Sequence, residues 1–208
     1  MGKKKKRIKL LSIYATIEGA IREKNLLNHL KNHYHDESKV KLNISPIHGG
    51  TPDRLLDDAF KRLHHGYDRI FVWLDEDIDI SGPSRNRLFS EWRVPEEHQE
   101  AFMDCPLGQL QSTYNNTSMR KPVLVASNPV CVESLILRAL GKTPCHSSLD
   151  LAKVAQQRQD LKNSLDGVFG RADELEYYDA HLDKTKLEAA RKEIPELDLL
   201  ISLITTKR

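Results

Sequence analysis

A chain of 208 residues is long enough for one substantial core with an appendage and too short for several large domains. Its formal net charge is +2, and the basic run from Lys3 to Arg7 outweighs that total, so the rest of the chain is net negative and its basicity is a tail, not a binding face. No stretch approaches the roughly 20 apolar residues of a membrane span, the apolar segment after the basic start is too short for a signal peptide, and Cys105, Cys131 and Cys145 lack the spacing of a zinc site or a disulfide framework; the expectation is a cytoplasmic protein without a membrane partner.

Lys9 to Ile17 is short, apolar and partly β-branched, and it stops at Glu18-Gly19, which predicts a strand ending in a turn. From Ala20 to Tyr34 the apolar residues Ile21, Leu26, Leu27, Leu30 and Tyr34 fall at helical spacing. Val40, Leu42 and Ile44 alternate with polar residues as a second strand. Thr51 and Pro52 then supply an N-cap and a first helical residue for an amphipathic run. Arg69 to Leu74 is the third strand and Lys121 to Ser127 the fourth, followed by a helix that opens at Asn128-Pro129. Between them, Pro83 to Asn116 reads as loop with one or two short helices. After Leu140 the chain is helical and polar: Ser147 caps a run from Leu149 to about Leu165, another helix covers Lys184 to Lys192, and Pro195 opens a last helix carrying Leu197, Leu199, Leu200, Leu203 and Ile204.

Strands alternating with helices predict an α/β fold: an open, mostly parallel sheet with helices on both faces, plus a helical C-terminal extension. The boundaries are a disordered basic tail over 1–7, an α/β domain over 8–145 and the extension over 146–208, packed on the same domain. Ligands of such sheets bind beyond the carboxyl ends of the strands. Glu18 lies at one such end, and Asp75, Glu76, Asp77 and Asp79 lie at another. Two carboxylates about 4 Å apart repel by roughly 4 kcal/mol at an effective dielectric of about 20. A hard divalent cation, Mg²⁺ or Mn²⁺, would offset that repulsion, which makes Glu18, Asp75, Asp77 and Asp79 candidate ligands. The plainer reading has Asp75 as a cap and Asp77 and Asp79 as solvated loop residues. Glu133 sits on an apolar helix and needs a partner: an arginine or a backbone donor, or the metal site. His29, His33 and His35 are read as a cluster on a polar helix end with structural or solvated roles.

The strand into Glu18-Gly19 with Glu23 four residues on, the strand into Asp75-x-Asp77-x-Asp79, and "SNPVCVESLIL" from Ser127 to Leu137 together resemble the RloB-like family, a Toprim-related group linked to phage resistance. The resemblance covers most of residues 8 to 140. Its third motif corresponds to Ser127, Asn128, Pro129 and Glu133, while Arg22 and Leu26 stand where the family's first motif has a threonine and an aromatic residue. It implies a Toprim-like fold and a metal-dependent nuclease acting on DNA or RNA. In that reading Glu18, Asp75 and Asp77 are catalytic, Gly19, Glu23 and Glu133 support them, and Arg22, Arg85, Arg87 and Asn128 are candidate substrate contacts. The family further implies a partner ATPase of the ABC type, with a homodimeric state left open. The competing reading is a non-catalytic nucleic-acid or protein binding module with a degenerate Toprim site. A phosphatase of the haloacid dehalogenase type fits less well, because Ile78 and Asp79 follow Asp77 where that motif requires threonine or valine.

Overall fold

The computed structural model describes residues 10–19, 21–38, 40–47, 51–75, 80–100, 123–128, 131–142, 154–170 and 175–205. The basic run of 1–7, Asp77, Asp79, Pro129, Ser147, Cys105 and Cys145 lie outside them. Four strands, β1 (Leu11–Ile17), β2 (Val40–Pro46), β3 (Arg69–Asp75) and β4 (Val123–Asn128), form one parallel sheet in the order β2-β1-β3-β4. The helices are α1 (Arg22–Ser38), α2 (Pro52–Arg62), α3 (Gly82–Trp92), α4 (Glu96–Gln99), α5 (Val132–Ala139), α6 (Val154–Phe169), α7 (Leu175–His181), α8 (Lys184–Glu193) and α9 (Pro195–Ile204).

Position in the sheet follows composition. β3 reads RIFVWLD and is buried from Ile70 to Asp75, as a strand flanked by neighbours and covered on both faces must be. β2 reads VKLNISP, has only Val40 buried, and occupies the edge. Alternation along the strands then divides the core. Ile13, Ala15, Ile17, Phe71 and Trp73 pack with α1, α5 and all the helices from α6 onward, whereas Tyr14, Ile70, Val72 and Leu74 pack with α2 and α3. Burial of a side chain the size of Phe71 contributes about 1.5–3 kcal/mol, so the larger first face carries most of the apolar stabilisation.

Three local readings are refined. Of the one or two short helices expected after Pro83, α3 and α4 are present, and α3 starts at Gly82 where the expectation opened with loop. Leu88 and Phe89 bury against α2, and the helix ends at Arg93, which takes up a left-handed conformation at φ 52°. Asn128 does not open the helix after β4: it closes β4 itself, paired with Asp75, and Cys131 is the N-cap of α5. Thr51 precedes α2 as expected but makes no side-chain cap hydrogen bond.

Candidate active site at the carboxyl edge of the sheet

β1 and β3 are direct neighbours, with Ile17 opposite Trp73, so Glu18 and Asp75 emerge at the same edge of the sheet. Asp75 continues the alternation of Phe71 and Trp73 and therefore belongs to the face covered by α1, α5 and α6. It is only 6% exposed, and its Oδ2 accepts a hydrogen bond from Arg158 Nη2 of α6 at 2.8 Å. Two further acids arrive from helices. Glu133, in the first turn of α5, is buried and accepts from Arg22 Nη1 at 2.7 Å. Arg22 Nη2 donates to Asp166 Oδ1 at 2.6 Å, so one guanidinium ties the start of α1 to α5 and α6.

Glu23 completes the group. Burial first, then the charges of Glu133 and Glu18, push its carboxyl up to about 7, against a lowering hydrogen bond from its own backbone and the charge of Arg22. Its carboxylate folds back over the turn after β1, where a Cβ on Gly19 would lie 1.6 Å from Glu23 Oε2. The Glu-Gly pair at the end of β1 and the glutamate four residues later are thus in close contact: a Cβ at position 19 would displace that carboxyl from where it lies. Cys131 lies within the same field, its thiol pushed up first by burial and then by Glu133 and Asp75. Such a thiol stays protonated near neutrality, which removes Cys131 as a nucleophile.

Of the residues expected at the site, Glu18, Gly19, Arg22, Glu23, Asp75 and Glu133 surround the carboxyl ends of β1 and β3. Arg22 faces two internal carboxylates. Asn128 joins them through its backbone position opposite Asp75, and Asp77 and Asp79 lie outside the described residues. Arg85 and Arg87 stand apart, in the layer of α2 and α3. Arg85 is 6% exposed, and Arg87 pairs with Asp57 at 3.1 Å while covering the Phe60 ring at 3.9 Å from its centroid. Sequence reasoning missed Arg158 and Asp166: both sit in a polar helix whose pattern carries no sign of which distant acid or base it will meet. Comparison with protein-family models, curated proteins and solved structures finds no significant match to this chain.

Proposed function

We propose that the protein is a metal-dependent nuclease that hydrolyses phosphodiester bonds of DNA or RNA, a Toprim-like effector of phage defence under the control of a partner ATPase. The observation that carries this reading is the convergence of Glu18, Glu23, Asp75 and Glu133 on one carboxyl edge, where burial first and then the charges of Glu133 and Glu18 push Glu23 up to about 7. Hard carboxylate oxygens that repel one another suit Mg²⁺ or Mn²⁺. Glu18 and Asp75 would hold the cation, joined by Asp77 and Asp79 on the strength of the sequence motif. When bound, it supplies neutralisation of phosphate charge and acidification of water. The protein's own groups do the rest: Glu18 accepts or returns a proton at the reacting oxygen, and Arg22 fixes the orientation of Glu133 behind the acids.

The test is incubation of the purified chain with duplex DNA, single-stranded DNA, messenger RNA and transfer RNA in Mg²⁺, Mn²⁺ or EDTA. Cleavage that requires the metal and disappears in Asp75→Asn, with the fold retained, is the expected result. Absence of cleavage of every substrate in either metal would overturn the reading.

One observation favours the alternative of a non-catalytic binding module: Arg158 already provides Asp75 with a cation at 2.8 Å. Arg158→Ala distinguishes the two. In the nuclease, Mg²⁺ restores the stability that the variant loses; in the binding module, the loss persists in Mg²⁺, because a buried carboxylate stripped of its partner costs about 3–5 kcal/mol.

A further inference from the structure

His29 and His33 are four residues apart on α1, hence on one face of the helix. The expectation of a polar helix end does not hold for His29, which is completely buried. Both of its ring nitrogens face oxygen acceptors: Nε2 lies 2.7 Å from the backbone carbonyl of Leu182, and Nδ1 lies 2.8 Å from Oδ1 of Asp179 in α7. A carbonyl oxygen can only accept, so Nε2 carries the ring proton. In a neutral imidazole the lone pair then sits on Nδ1, aimed at a carboxylate oxygen. Two electron-rich atoms at that distance need a cation, either a second proton on the ring or a metal ion.

The neighbouring imidazole favours the metal. The His33 ring meets that of His29 edge to face at 4.4 Å between centroids, and one ligand atom from each of His29, His33 and Asp179 lies within 4.8 Å of the others. A second imidazole beside an imidazolium adds nothing to a simple ion pair. Two neutral imidazoles and a carboxylate, by contrast, form the donor set of a zinc site, with a carbonyl behind one ring fixing its tautomer. Bonds of about 2.0–2.1 Å place tetrahedral donors about 3.3 Å apart. Asp179 is exposed and His33 half-buried, so both side chains have room to adjust to that spacing.

We propose that His29 Nδ1, His33 and Asp179 Oδ1 bind a first-row transition cation such as Zn²⁺, with a water in the fourth position. The site is separate from the carboxylate cluster and of different chemistry: imidazole nitrogen selects zinc-like ions where the all-oxygen cluster selects Mg²⁺. Its ligands come from α1 and α7, so the ion would clamp the first helix of the sheet domain to the C-terminal helices.

The test uses the full chain stripped by a chelator, then titrated with Zn²⁺ while melting is followed, and with Co²⁺ while the visible absorption of the tetrahedral ion is followed. We expect Zn²⁺ to raise the melting temperature of the parent and of Asp75→Asn, and Co²⁺ to give the tetrahedral spectrum. Both effects should be lost in His33→Ala and in Asp179→Asn. If His33→Ala fails to fold, Asp179→Asn, altered at an exposed position, decides alone. No melting shift with Zn²⁺ in the parent, or a shift that survives in Asp179→Asn, overturns the proposal and leaves the His29–Asp179 contact as an ion pair.

Discussion

Glu23 shows how one side chain reports on the charge around it. Its carboxyl titrates near 7 in the folded chain and near the ordinary 4.5 when unfolded, so the folded state binds the extra proton between those values. Stability is therefore full below about pH 4.5, falls as pH rises toward 7, and stays reduced above it, by at most about 3 kcal/mol. Glu23→Gln keeps the neutral shape at every pH. It should melt like the parent at pH 4.5 and several degrees higher at pH 8, and Mg²⁺ should shrink that difference by favouring the carboxylate. Parallel melting curves for the two proteins across this range would show that Glu23 is not held neutral by its neighbours.

Among the elements, α9 tests what the last apolar stripe is for. Its stripe could serve the protein's own core or a partner, and it serves the core: Leu197 and Leu200 are each 1% exposed and Ile204 2%, within the cluster that covers Phe71 and Trp73. Leu200→Glu should cost about 4 kcal/mol or more by burying an unpaired charge, read as a collapse of the melting temperature. Leu199→Glu, at a position only partly buried, should cost less; equal losses at the two positions would contradict the assignment of the stripe. This stripe was legible in sequence because six Leu and Ile residues in ten leave no other face to bury. β1 and β3 were legible as short apolar runs, and β2 by the alternation of Val40, Leu42 and Ile44 with polar residues. By contrast, among the described side chains of α3 only Arg85, Leu88 and Phe89 are buried, too few positions to set a helical period in a stretch rich in Ser, Arg and Asn. Asn128 was misplaced because its capping chemistry is a local signal, whereas its pairing with Asp75 is a contact across 53 residues. At the candidate site, Glu18 and Asp75 could be located as strand ends, but Arg158, Asp166 and the His29–Asp179 contact join segments more than 80 residues apart and leave no trace in either segment.

For the whole molecule, the two faces of the sheet are completed by different parts of the chain. The face of Val72 and Leu74 is covered by α2 and α3, while the face of Phe71 and Trp73 requires α6 to α9 as well as α1 and α5. The C-terminal helices are accordingly part of the same core as the sheet. A chain ending at residue 145 should lose cooperative melting and bind a hydrophobic dye, the behaviour of a compact state without fixed packing. A sharp transition close to that of the full chain would mean that 8–145 folds alone.

The tie between Arg69 and the far end of α9 sets an order of events at the ribosome. Nη1 of Arg69, the first residue of β3, donates to the carbonyls of Ser202 and Leu203 at 2.7 and 2.5 Å, closing a helix whose last carbonyls otherwise have no partner within the helix. During synthesis, α2 emerges between β2 and β3 and α3 follows directly, so one side of the nascent sheet is covered early. The side bearing Phe71 and Trp73 has only α1 at that stage, and its cover of α5 to α9 is complete only when more than a hundred further residues have been made. At roughly 5–20 residues per second, that is an interval of several seconds or longer in which the part of this apolar face that α1 does not cover is open to chaperones, or to the same surface on a neighbouring nascent chain.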